Sequence, residues 1–205
     1  MIPVQYIIST RQKLSVLAHV ETAIQTGCKW IQLQGTEGQD KKLVEITTKI
    51  KNICRENDVT FIIENNIELV KAIEADGVHL TNGMSVIEAR QLLGEGFLIG
   101  INAHNAEEIA SHKRQSADYI CYGPFSGQQG NEPDCEGLTL SEFVQTMNSI
   151  IEQEISLPIC AFGKIGPDDV MPIMHTGIRG ISISLAETDI DKKTVKAILE
   201  NYLSI

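Results

Sequence analysis

Eight short apolar runs, rich in β-branched residues and separated by stretches of helical patterning, constrain the fold of this chain more than any other feature. They are PVQYIIS (3–9), WIQL (30–33), TFII (60–63), GVHL (77–80), FLIG (97–100), YICY (119–122), PICAF (158–162) and GISIS (180–184). Between runs, KKLVEITTKIKNICREN (41–57) and LSEFVQTMNSIIEQE (140–154) carry apolar residues at helical spacing with charges on the other face. Strictly alternating strands and helices imply parallel strands joined by crossover helices. Eight such units in 205 residues fit a single-domain (β/α)8 TIM barrel, with a doubly wound open sheet as the alternative.

The segments EADGVHL (74–80), SADYICY (116–122) and TGIRGISIS (176–184) each pass from a helix end through a small residue into a strand, a repeated structural unit. No linker or low-complexity tract divides the chain, so residues 1–205 read as one domain. There is no apolar run of membrane-spanning length and no signal-peptide pattern, and a soluble cytoplasmic protein is expected. The five cysteines lack CxxC spacing, which favours reduced thiols over a disulfide framework or a zinc site. A net charge of −10 argues against nucleic acid as a partner.

In such a barrel, ligands bind at the carboxyl ends of the strands. The residues there form a polar ring: Gln32 and Gln34, Glu64 and Asn65, His79 with Thr81 and Asn82, Asn102 and His104, Gly123 and Gln128, Gly163 and Lys164, then Ser184 and Glu187. His79 alternates with Val78 and Leu80 and so points into the barrel, either as a hydrogen-bonded core histidine or as a ligand contact. His104 precedes Asn105, which reads as a helix cap followed by acids in the first turn. The turns in AFGKIGPDDV (161–170) and GIRGISISLAE (177–187) can expose backbone N–H groups to a phosphate, with Lys164 as a point charge. The same glycines also suit a tight turn and a helix start. Only Glu64, with Glu132, Asp134 and Glu136 in the loop 126–137, could serve a magnesium ion, so no metal site is assigned. Cys121 and Cys160 read as packed strand residues. The loop itself, rich in Gly, Gln and acids, is expected to be mobile without ligand and to carry function.

Taken in order, AIQTGCKWIQLQ (23–34), VTFIIENNIELVKAIEADGVHL (59–80), IGINAHNAEE (99–108), ADYICYGPF (117–125), AFGKI and GISIS resemble the thiamine phosphate synthase and thiazole tautomerase family along nearly the whole chain. The resemblance implies a TIM barrel and a thiamine-biosynthesis transferase that joins hydroxymethylpyrimidine diphosphate to thiazole phosphate, with Mg2+ holding the diphosphate. Its implied substrate-binding residues are Gln32, Gln34, Asn65, His79, Asn102, Gln128, Gly163, Lys164, Ile183 and Ser184. Glu64 and His104 are the candidate acid–base groups. Gln32, Gly163, Ile183 and Ser184 match the family pattern. By contrast, Gln34 and Thr36 stand in for an arginine and a lysine, Asn65 and Met84 for two metal-binding aspartates, Asn102 for a serine, and Lys164 for a glycine; Gln128, Gly130 and Asn131 stand near the places of a missing Thr-x-Thr-Lys element. The family's magnesium ligands are therefore not retained. Pro124 replaces the tautomerase branch's proton-shuttling histidine. The expected partners are a small phosphorylated thiamine-pathway ligand and a second copy in a homodimer, with no membrane. A noncatalytic phosphate-binding barrel and a tautomerase-like isomerase remain the alternatives.

Overall fold

The computed structural model describes residues 4–10, 16–38, 40–125, 137–184 and 192–203. Its strands are β1 (Gln5–Ser9), β2 (Trp30–Gln34), β3 (Thr60–Glu64), β4 (Gly77–Leu80), β5 (Leu98–Ala103), β6 (Tyr119–Phe125), β7 (Ile159–Gly163) and β8 (Gly180–Ser184). All neighbours pair in parallel, and β8 returns to β1 to close the barrel. The chain therefore folds as the TIM barrel that the alternation implies, not as an open sheet. The helices α1 (Val16–Gln25), α2 (Lys41–Glu56), α3 (Ile67–Ile73), α4 (Val86–Leu93), α5 (Ala106–Arg114), α6 (Leu140–Glu152), α7 (Val170–His175) and α8 (Lys192–Leu203) follow the strands in turn. A 3-10 turn, Pro167–Asp169, precedes α7. Among the described residues, no helix is long and apolar enough to cross a membrane.

Successive strand residues point to opposite faces, so every strand feeds two cores. Outward residues such as Tyr6, Ile8, Ile31, Leu33, Phe61, Ile63, Val78, Ile99, Ile120 and Ile181 pack with helix residues such as Val20, Ile50, Leu69 and Phe143 in the main hydrophobic shell. Inside the barrel a smaller cluster contains Trp30, Ile62, Tyr119, Cys121 and Cys160. Tyr119 lies edge-on to Trp30 with ring centroids 5.2 Å apart. Room for that ring comes from Gly100, where an added Cβ would stand 2.0 Å from Tyr119 Cζ. Small-to-large change at such a position forces a core to shift.

Local signals place the helices. Asp40, Asn66, Ser85, Asn105 and Thr139 each accept a hydrogen bond from a first-turn backbone N–H. Two ion pairs repeat one device: Lys51 holds Asp76 at 2.5 Å, and Arg90 holds Asp118 at 2.7 Å. Each aspartate also accepts from the backbone N–H of a neighbouring strand, Phe61 and Ile99 respectively. These are the Asp residues of EADGVHL and SADYICY, so two of the three echoed segments share one strand-entry clamp, which TGIRGISIS, without an aspartate, does not.

Candidate active site

The carboxyl ends of the strands bring most of the sequence-predicted residues to one rim. On β2, Gln32 follows Trp30 on the inner face and donates from Nε2 to Glu64 Oε2 at 3.1 Å. Glu64 ends β3, and its carbonyl accepts from Thr36 Oγ1 at 2.9 Å. Thr36 is buried, so the residue in the place of a family lysine is a structural tie between the β2 and β3 exits. Asn66 extends this tie by donating to the carbonyls of Thr36 and Gly38 at 2.5 and 2.8 Å while capping α3. Gln34 ends β2, half-buried, and its carbonyl accepts from Thr10 N.

Asn65 sits in the left-handed region at φ 57°, a conformation that asparagine tolerates better than most residues. Its Oδ1 accepts from Thr81 N, and its Nδ2 donates to Thr81 Oγ1, both at 2.7 Å. Both ends of the amide therefore fasten the β3 exit to the β4 exit. Met84 packs its thioether side chain against the hydrophobic shell. Magnesium takes hard oxygen ligands in octahedral geometry, which an engaged amide and a packed thioether do not supply. Among the described residues no group of three or more His, Cys, Asp or Glu could hold a metal ion. The β3–β4 residues thus do not fit the family's magnesium ion.

His79, at 2% exposure, is an inward-pointing core histidine in a hydrogen-bonded line. Its Nδ1 lies 3.1 Å from Tyr119 Oη and its Nε2 lies 2.9 Å from Asn102 Oδ1. The amide oxygen of Asn102 only accepts, so Nε2 carries a proton and donates to it. In the neutral ring Nδ1 then accepts from the Tyr119 hydroxyl, whose pKa burial holds well above its ordinary value. The line runs from the barrel interior to the β5 end, and Asn102 is its terminus at the rim.

His104 follows β5, and its Nδ1 lies 2.7 Å from the carbonyl oxygen of Gly123. A carbonyl only accepts, so Nδ1 is the donor in this bond. The backbone N–H of His104 donates to Glu108 Oε2, and Phe162 meets the ring edge-on at 6.3 Å. Pairing between β6 and β7 shifts register between Tyr122 and Phe125, where the strand bends past Gly123.

At β7, Gly163 adopts φ +127°, and a Cβ there would lie 2.2 Å from Phe125 N. Lys164 is exposed, and its backbone N–H donates to Phe125 O. The Gly166 N–H is taken by Asp169 Oδ2 at 2.8 Å, so this glycine opens the 3-10 turn, as the helix-start reading has it. Ser184 ends β8 on the inner side. Ile183 faces the other way, into the shell between barrel and helices, so its side chain packs and only its backbone borders the rim. Gln128, Gly130, Asn131, Glu132, Asp134, Glu136 and Glu187, with the expected mobile loop apart from Gly137, lie outside the described residues.

Sequence reasoning missed Tyr119 and Trp30 as parts of the interior beneath the site. The available signal was alternation: Tyr119 is two residues before Cys121, and Trp30 two before Gln32, on the same strand faces.

Comparison with known proteins agrees with this architecture. The chain is 33% identical over 185 residues to the thiamine-phosphate synthase of Bacteroides thetaiotaomicron, covering 90% of this chain and 88% of that protein. It is 33% identical over 192 residues to the thiamine-phosphate synthase of Flavobacterium johnsoniae, covering 93% and 91%. The solved thiamine phosphate pyrophosphorylase from Pyrococcus furiosus superposes with a TM-score of 0.83 at 22% identity, covering 98% of this chain and 96% of that one, and supports the fold. The family model described as thiamine monophosphate synthase matches residues 5–186, from the first inner glutamine of β1 to just beyond Ser184. Barrel, rim and relatives converge: this chain belongs to the thiamine monophosphate synthase family.

Proposed function

We propose that the chain is a thiamine-biosynthesis transferase of the synthase type, coupling hydroxymethylpyrimidine diphosphate to thiazole phosphate through a rebuilt diphosphate site. The observation that carries this reading is the roughly one-third identity to named thiamine-phosphate synthases across about nine-tenths of the chain. In this reaction the pyrimidine-bearing carbon loses its bond to the diphosphate oxygen, which leaves with the electron pair. The thiazole nitrogen then supplies its lone pair to the resulting cation. Catalysis therefore rests on holding both rings in line and stabilising the charge that develops.

In this reading the exits of β7 and β8 hold the thiazole phosphate through the Ser184 hydroxyl, with Lys164 as the nearby cation. Gln32 and Glu64 face the pyrimidine, and the Glu64 carboxylate offsets developing positive charge on it. Asn102, fixed by His79, orients a ligand at the β5 end, and His104 is the candidate acid–base group there. No step is assigned to a magnesium ion. Cytoplasmic location and a homodimeric assembly belong to the same reading.

Incubation of the purified chain with both substrates and mass spectrometry of the products tests it. Thiamine phosphate is the expected product. Saturable thiazole-phosphate binding without product would favour the second reading, a noncatalytic phosphate-binding barrel, which the engaged Asn65 amide and packed Met84 favour.

A further inference from the structure

TIM-barrel interiors are ordinarily filled by branched aliphatic side chains. Here the inner face below the rim carries Gln5, Trp30 and Ser182 on three adjacent strands. The register places Gln5 beside Trp30 on one side and beside Ser182 on the other. Side chains paired this way in parallel strands project from the same face. Gln5 reaches across the barrel, where its Oε1 accepts from Cys121 Sγ at 3.6 Å, and Trp30 meets Tyr119. All three are therefore inward.

They are also buried, at 0% exposure for Gln5, 7% for Trp30 and 1% for Ser182. Gln5 Nε2, Trp30 Nε1 and Ser182 Oγ find no hydrogen-bond partner among the described residues. One layer above, Gln32, 1% exposed, donates to Glu64 while its Oε1 is likewise unpartnered. Four such atoms lie on three neighbouring strands, where a buried polar group without a partner is costly. Their chemistry is complementary to one kind of ligand. The amide and indole N–H groups donate, the Gln32 carbonyl accepts, and the hydroxyl does either. Apart from the Glu64 carboxylate bonded to Gln32, no formal charge accompanies them, so neither an anion nor a cation is matched. The inner face of β8 carries by alternation only the small residues Gly180, Ser182 and Ser184.

We propose that the floor of this barrel is a hydrated chamber, in which bound water bridges Gln5, Trp30 and Ser182 and continues upward to the Gln32 carbonyl. Polar surroundings, several partners and space are what a buried water requires. Because the chamber ends at Gln32, the floor beneath the site exchanges hydrogen bonds with water and not with hydrocarbon. The inference concerns the barrel interior and holds whichever reading of the activity is correct.

A high-resolution crystal structure of the full chain tests it directly. Ordered solvent density within hydrogen-bonding distance of Gln5 Nε2, Trp30 Nε1 and Ser182 Oγ is the expected result. Direct pairing of Gln5 with Ser182, with no density between these groups, would overturn it. A second measurement uses Trp30, the chain's single tryptophan. Replacing both neighbours, Gln5→Met with Ser182→Ala, removes the bridging partners and should move Trp30 emission to shorter wavelength while the far-ultraviolet dichroism stays unchanged. Unshifted emission in a folded double variant would show that no water contacted the indole.

Discussion

At the exits of β7 and β8 the rim presents backbone and small side chains, whereas at the exits of β2, β3 and β4 it presents amides and a carboxylate already engaged with their neighbours. Gly163, with no Cβ and φ +127°, lets the chain turn closely past Phe125, and Ser184 stands at the end of β8. On the opposite side Gln32 is bonded to Glu64, Thr36 to the Glu64 carbonyl, and Asn65 to Thr81 at both ends of its amide. In the proposed reading the first side receives the thiazole phosphate at Ser184, beside Lys164. The second is held together by ties from one strand exit to the next. The difference teaches that two halves of one rim can be built differently, one from a close backbone turn and the other from side-chain ties between strand exits.

The strongest way to break this comparison is Ser184→Asp, which sets a carboxylate against the phosphate. Loss of one charge-assisted hydrogen bond of roughly 1.5–3 kcal/mol, with added repulsion, should weaken thiazole-phosphate binding at least about tenfold to a hundredfold. Calorimetric titration reads the change. Next in size is Gly163→Ala. The new Cβ meets Phe125 N at 2.2 Å, so the β6–β7 contact must open, costing about 1–3 kcal/mol in denaturant unfolding as overpacked sites do. An Ala variant as stable as the parent would show that the close turn is not required.

Asn65→Ala sharpens the other side. It removes both hydrogen bonds to Thr81 and leaves alanine in the left-handed region, for an expected loss of about 1–3 kcal/mol. Faster amide exchange at Thr81 should accompany it, and unchanged exchange would argue against the clamp. The smallest effect concerns His112 on α5, whose pKa is lowered from 6.5 chiefly by burial. A histidine that is harder to protonate when folded contributes stability in full above 6.5, and that stability falls as pH drops below 6.5 towards the folded-state value. His112→Gln should flatten stability over that interval, as followed by thermal unfolding at stepped pH.

Much of this framework was legible in the chain. The eight β-branched runs marked the strands to within a few residues, and the segment 41–57 gave α2 because its apolar period and Asp40 cap agree. β5 and β6 extend beyond their apolar runs to Ala103 and Phe125, because β5 goes on pairing across Asn102 and β6 resumes pairing at Phe125 after the irregularity at Gly123. His79 was readable as an inward histidine from its alternation, but its partners, 40 residues away at Tyr119 and 23 away at Asn102, depend on barrel closure. Gly100 likewise had no local reason to be glycine; its reason is the Tyr119 ring that lies over it. Asn65 resembled a substituted metal ligand in sequence, and only the juxtaposition of two loops reveals Thr81 as its partner. Buried Gln5 and Ser182 were hidden inside runs that read as uniformly apolar.

The comparison of the two rim halves is tested most directly by titrating the wild-type chain calorimetrically with thiazole phosphate and, separately, with hydroxymethylpyrimidine diphosphate in the presence and absence of magnesium. The account predicts that the monophosphate binds more tightly and that magnesium does not strengthen diphosphate binding. Tight, magnesium-dependent binding of the diphosphate, exceeding that of the monophosphate, would contradict it.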